Sequence, residues 1–513
     1  MSHQIMSRLK SLAFGITGAA VLIALSAPSA YAQSTGNEDD PLRNTILTPH
    51  PINPAANTTN PSALAVQGQN PFLGSTQQCR LPGKTIALSL SDAIACGLRF
   101  NLGLIDTQQG SAEARAARMH ALSILLPQIS ASATEQYKRY SGIPVGADKI
   151  HFGIPAVGET ILFPLDIGPF NYQYSGLDLT QNLIDERARH AFHSAAEENK
   201  ASIAVAADSR DIVVLAVGSA YLQVVASKAR LLDVRAELDA AITLDDFIAE
   251  RVREKASPEI DTIRAQVARH TAEQRLTDAE TGVGKDKLTL ARVVGLPLDQ
   301  DFDITDDLPY RAIPPPTPAA AVAEALEFRS DLKSAAHRLR AAEENVRAQS
   351  AQRLPTLIVA ADYGAVGTNP GNIQQTYSVG ATLSVPLFTG RRIESDIASA
   401  RANVTQRSAE YEDLKGRVEY DIRTALFDLE AADKSVQVAD LNRSLALRGL
   451  SDTRDRFRVG VSTSLEMVQA EQSVADADDN YINSLFGHDL AKLELARALG
   501  VTATDLSPYL RGN

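Results

Sequence analysis

The sequence predicts a mainly α-helical protein with a β-barrel portion that crosses a membrane, its chain built as two tandem repeats. Three observations carry this reading. An export signal opens the chain, and no later apolar run approaches the ~20 residues a membrane-crossing helix needs. Short segments of alternating apolar and polar residues occur as two pairs. Each pair is followed by an unbroken helical pattern of roughly 70 residues, far beyond an ordinary globular helix.

The signal comes first. Arg8 and Lys10 precede an apolar run from Leu12 to Leu25, then Ala30-Tyr31-Ala32. This is a signal peptide over residues 1–32, cut before Gln33. The cut is not followed directly by Cys, so N-terminal lipidation is not indicated. Residues 33–84 are rich in Pro, Asn, Thr and Ser and read as an extended N-terminal arm. The chain has just two cysteines, Cys79 and Cys96. In an oxidising compartment such a pair points to a disulfide, with two buried free thiols as the alternative.

Composition excludes some functions. A formal net charge of −12 gives no basic face for nucleic acid. Trp is absent and aromatics are 5%, which suits long helices packed through small side chains better than one thick core.

The repeats follow from constant offsets in position. Leu98, Phe100, Leu104, Ala114, Leu126 and Pro127 recur, in the same order and spacing, as Leu326, Phe328, Leu332, Ala342, Leu354 and Pro355. Leu288, Leu290, Ala291, Arg292 and Gly295 recur likewise as Leu493, Leu495, Ala496, Arg497 and Gly500. The first repeat is set at 85–295 and the second at 318–502. An acidic, Pro-rich linker lies over 296–317 and a tail over 503–513. Each repeat reads helix, strand, loop, strand, very long helix, break, helix.

The strands read as membrane strands. Tyr377, Val379, Ala381, Leu383, Val385 and Leu387 face one way, with Ser378, Gly380, Thr382 and Ser384 opposite. Ile129, Ala131 and Ala133 alternate with Ser130, Ser132 and Thr134, and Leu177 and Leu179 with Asp178 and Thr180. Apolar-out, polar-in alternation with Tyr near the strand ends is a barrel pattern. At Pro127 and Pro355 a helix is expected to pass into a strand without a turn, proline marking the joint. Four strands cannot close a barrel, and an open edge cannot face lipid. Two copies would supply eight strands around a filled interior, and three would supply twelve around a lumen. In the first hairpin, residues around 141–170 are extra and read as an enlarged extracellular loop.

Several stretches together resemble the TolC-like outer-membrane efflux family. They are LSLSDAIACGL, LLPQISASA, RLPTLIVAADY, YSVGATLSVPLFTGRR and RFRVGVSTSLEMVQAEQSVADADDNY with LAKLELARALG. The resemblance covers nearly all of residues 85–502. It implies a homotrimer with a twelve-stranded barrel in the outer membrane and a helical, coiled-coil tunnel in the periplasm. It also implies a periplasmic adaptor (membrane fusion protein) and an inner-membrane RND or ABC transporter, in tripartite efflux or type I secretion. Val459, Gly460 and Val461 match the family's adaptor-docking tip, where the first repeat has Glu254-Lys255-Ala256. Glu466 matches a position of the family's acidic entrance ring. Gln469 stands where a companion carboxylate is expected, and Asp261, the counterpart of Glu466 in the first repeat, could add a second set. Phe457 replaces a tyrosine of the family's closing network.

No catalytic set, cofactor site or metal site is expected. His190, His193 and Glu197 share a helical face and are read as solvated. Residues 282–287, GVGKDK, lack the Ser/Thr and first Gly of a phosphate loop. The alternative function is a periplasmic helical adaptor or scaffold with its strands in a small sandwich.

Overall fold

A computed structural model describes residues 70–80, 85–141, 151–153, 160–162, 166–306, 310–369 and 371–502. The signal peptide, most of the arm, most of the enlarged loop and the tail lie outside these residues.

Eight helices run in order among the described residues. They are α1 (Leu90–Phe100), α2 (Leu102–Ser123), α3 (Glu186–Arg253), α4 (Glu259–Val294), α5 (Pro318–Phe328), α6 (Ser330–Ala351), α7 (Arg392–Arg458) and α8 (Ser464–Leu499). α3 has 68 residues and α7 has 67, which at 1.5 Å rise makes rods of roughly 100 Å. α2 and α6 each have 22 residues, and α4 and α8 each have 36.

Local chemistry sets the helix ends. Asp185 caps α3 by accepting from the Ala188 N–H at 2.9 Å, satisfying one of the donors a helix start leaves free. α4 and α8 stop at Gly295 and Gly500, whose φ values of 88° and 78° suit the left-handed helix stop that glycine adopts without strain. The single helix expected at the head of each half is broken. Asn101 separates α1 from α2, and Arg329 separates α5 from α6.

The strands are β1 (Thr85–Leu88), β2 (Gln128–Ser141), β3 (His151–Gly153), β4 (Thr160–Leu162), β5 (Asp166–Ile184), β6 (Asp301–Ile304), β7 (Thr356–Asn369) and β8 (Asn372–Ser384). β2-β5-β7-β8 form one antiparallel sheet, with β2 and β8 at its edges. β3 and β4 make a small hairpin inside the enlarged loop.

Two expectations need correction. The helix does not enter the strand directly: residues 124–126 and 352–354 form a short turn before Pro127 and Pro355. In that turn Leu126 N–H still reaches Ser123 O and Leu354 N–H reaches Ala351 O, at 3.2 and 2.9 Å, so the helix tightens before proline ends it. The 296–317 linker contains β6, which pairs in parallel with β1. Finally, α3 does contain an 18-residue window apolar enough to cross a membrane by length and composition, and half of that window is buried in the protein.

Those apolar residues belong to a core. Val213, Val217, Tyr221 and Val224 of α3 pack with Leu90 and Ala93 of α1, Leu290, Ala291, Val293 and Val294 of α4, and Leu88, Phe302 and Ile304 of the β1–β6 pair. A second core joins α5, α7 and α8 through Ala321, Ala325, Val418, Ile422, Leu426 and Leu495.

Candidate functional site: the open sheet and the helix tip

The four-stranded sheet presents two chemically distinct faces. Registration places Ile129, Leu179, Ala361 and Val379 in one row, and Ala131, Leu177, Tyr363 and Tyr377 in the next row on that face. Val379 and Tyr377 are 75% and 77% exposed, so this apolar face is bare. The opposite face carries the row Ser130, Asp178, Asp362 and Ser378. Ser132 donates to Asp178 at 2.8 Å, and Ser378 donates to Asp362. One face thus suits hydrocarbon and the other water.

At the far end of the rods lies the tip. α3 gives way to α4 through residues 254–258, and α7 to α8 through residues 459–463. Lys255 takes φ 60° at the first turn, and Gly460 takes φ 77° at the second. Val459 and Val461 are exposed. Thr463 accepts the Glu466 N–H at 3.3 Å, while the Glu466 carboxylate turns to the Ser462 hydroxyl. Only half of the reciprocal capping box therefore forms. At α4 the cap is Pro258 itself, without a side-chain bond, where the Ser257-Pro258 pair suggests a Ser cap.

Glu466 and Gln469 are both exposed, about one turn apart on α8. Asp261 is engaged: it accepts from Ser464 of α8 at 2.5 Å and from Arg264 at 3.3 Å, with its side chain 13% exposed. It ties α4 to α8. Phe457 is buried with Leu244, Ile248, Ala265 and Met467, a small core joining all four rods.

Sequence reading missed Arg251. Its guanidinium lies 5.9 Å from the Phe247 ring centroid and 5.4 Å from that of Phe457, a cation–π arrangement. It also donates to Phe457 O at 3.4 Å. The signal available was Phe247 one helical turn before an arginine.

Elsewhere, Cys79 and Cys96 are joined by a disulfide, Cα–Cα 5.8 Å. His190 bonds Glu344 at 2.8 Å and Glu197 bonds His337 at 2.7 Å, both across to α6. His190, His193 and Glu197 therefore do not converge, and no metal-holding cluster occurs among the described residues. Residues 282–287 lie inside α4, which rules out a phosphate loop there.

Residues 321–501 match the family model described as outer membrane efflux protein. Among known proteins, the chain is 25% identical to the outer membrane efflux protein BepC of Brucella suis over 248 residues. That match spans 48% of this chain and 54% of BepC. It is 22% identical to the outer membrane protein TolC of Vibrio cholerae over 337 residues, 64% of this chain and 76% of TolC. The chain thus spans about half the length of the first of these relatives. In fold it resembles the outer membrane protein VceC of Vibrio cholerae, with TM-score 0.66, 20% identity and coverage of 80% of this chain and 96% of VceC. It also resembles the Campylobacter jejuni CmeC outer membrane channel, with TM-score 0.68, 16% identity and coverage of 86% and 93%.

Proposed function

We propose that this chain is one of three identical subunits of an outer-membrane exit duct, with no chemistry of its own. One observation carries the reading. A four-stranded sheet, bare and apolar on one face, is open at both edges and continuous with rods of roughly 100 Å. Lipid cannot satisfy edge N–H and C=O groups, so like chains close the cylinder. Three give twelve strands and leave a lumen lined by the Ser130–Asp178–Asp362–Ser378 face.

The rods extend this wall into the periplasm, and Val459, Gly460 and Val461 meet a periplasmic adaptor that links the duct to an inner-membrane RND or ABC transporter. Glu466, with Gln469 one turn on, lines the entrance and favours cations there. Matching helix lengths in the two halves support duplication of the 85–295 and 318–502 repeats. The likeness to BepC, an outer membrane efflux protein, and to TolC, an outer membrane protein, supports outer-membrane efflux as the role.

Fractionation and mass test the proposal. The expected product is an outer-membrane species of three chains; a salt-extractable single chain would overturn the reading in favour of a periplasmic scaffold. In planar bilayers, Glu466→Gln should lower cation preference, and an unchanged reversal potential removes Glu466 from the entrance.

A further inference from the structure

Where the two halves meet above the tip, α3 and α8 run antiparallel, and their facing residues carry carboxylates in pairs. Asp233 of α3 lies within electrostatic reach of Asp478 of α8, and Glu471 of α8 within reach of Glu237 of α3. In each pair one member has an arginine from a third helix. Arg443 of α7 holds Asp478 at 2.5 Å, and Arg275 of α4 holds Glu237 at 2.6 Å. Among the described residues, neither Asp233 nor Glu471 has a hydrogen bond or ion pair of its own. The unpartnered acid sits on α3 in one pair and on α8 in the other.

The remaining charges nearby are committed or distant. Arg230 of α3 holds Asp479 at 2.6 Å and Asn483 at 2.7 Å. Arg275 also donates to Gln472 at 2.9 Å. Arg454 of α7 attracts Glu471 without an ion pair. All four carboxylates are half-buried, so like charges facing each other there are poorly screened.

We propose that protons on Asp233 and Glu471 hold the α3–α8 seam together, making it an acid-tightened joint between the two halves of the duct wall. Its physiological meaning rests on the duct reading, but the joint itself does not.

The titration direction agrees with the geometry. Burial, opposed by Arg454 and aided by Glu237, pushes Glu471 up to about 7. Burial, with Asp478 beside it, raises Asp233 above the usual carboxylate range despite Arg443. The folded chain then keeps protons that the unfolded chain has released. Seam stability is therefore greatest below the ordinary carboxylate range, falls as pH climbs, and stops falling above about 7.

Hydrogen exchange of the purified full chain in detergent, corrected for intrinsic amide rates, tests this between about pH 5 and pH 8. Protection over residues 228–241 and 468–482 should fall by about tenfold or more toward pH 8. The isosteric pair Asp233→Asn with Glu471→Gln should keep acid-side protection throughout. Wild-type protection that stays flat, or a double variant that still loses it, overturns the proposal. Subunit number and membrane insertion are read separately, so either idea can fail alone.

Discussion

The elbows at Asn101 and Arg329 each join an 11-residue helix to a 22-residue helix, yet they are held by different physics. At the first elbow Asn101 is fully buried. Its side chain accepts from the Gly103 and Leu104 N–H groups at 3.0 and 3.3 Å, and donates to Phe72 O at 2.7 Å. The segment carrying Phe72 is strapped across the break. Thr76 N–H reaches Phe100 O, Leu102 N–H reaches Gly74 O, and Cys79 bonds covalently to Cys96. At the second elbow a buried guanidinium replaces the strap. Arg329 pairs with Asp331 at 2.6 Å and Asp421 at 3.0 Å.

The helix stops follow suit. A Cβ on Gly295 would meet Thr76 O of the strap at 2.6 Å, while one on Gly500 would meet the Arg329 backbone at 3.0 Å. One backbone break is secured by a covalent bond and neutral hydrogen bonds and the other by charge, so different perturbations should release each.

The largest effect is expected from Arg329→Ala. It strands Asp331 and should cost about 4 kcal/mol, as breaking buried ion pairs does. Asp331 is buried, which raises its pKa, but the hydrogen bonds and charge of Arg329 outweigh that and hold it below the usual carboxylate range. Its contribution is present above that range and lost as pH falls through the depressed value. The acid-induced loosening of α5–α6 seen by exchange should therefore vanish in the variant; its persistence would break the contrast.

Next, Cys79→Ser with Cys96→Ser should cost roughly 3 kcal/mol for a loop of this length. The loss should be confined to α1, α2 and the strap. Reductant alone should reproduce it, and equal loosening of α5–α6 would show that the elbows are not independent.

The smallest effect lies at the tips. Lys255 and Gly460 hold matching places in the two halves and share a left-handed backbone, which costs a side chain about 1 kcal/mol. Lys255→Gly should raise the unfolding midpoint slightly, and Gly460→Ala, with no neighbour within 4 Å of the added Cβ, should lower it.

Much of this was legible from the residues. Period-2 alternation in β2, β5 and β8 and the unbroken helical pattern of α3 and α7 are local signals, and local signals survive folding. The elbows were missed although Asn101, and Ser330-Asp331 beside Arg329, are residue types that favour helix ends. Phe72 and Asp421, distant in the chain, supply the partners that hold those breaks. β6 was hidden inside a Pro-rich linker because four residues, alternating only as DFDI, become a strand when β1 lies alongside. At the tip, Glu466, Gln469 and Val459 to Val461 were named through the family resemblance. The tie from Asp261 to Ser464 and the stacking of Arg251 on Phe457 depend on four rods converging, which no single stretch encodes.

The 14-residue β2 and 13-residue β8 have a biogenesis consequence. A single chain carries two long, ready templates for pairing beside a greasy surface, the features that drive misassembly. Under the proposed assembly, a chain that has not yet met its siblings is an aggregation hazard, and the rate of encounter would set how much assembles intact.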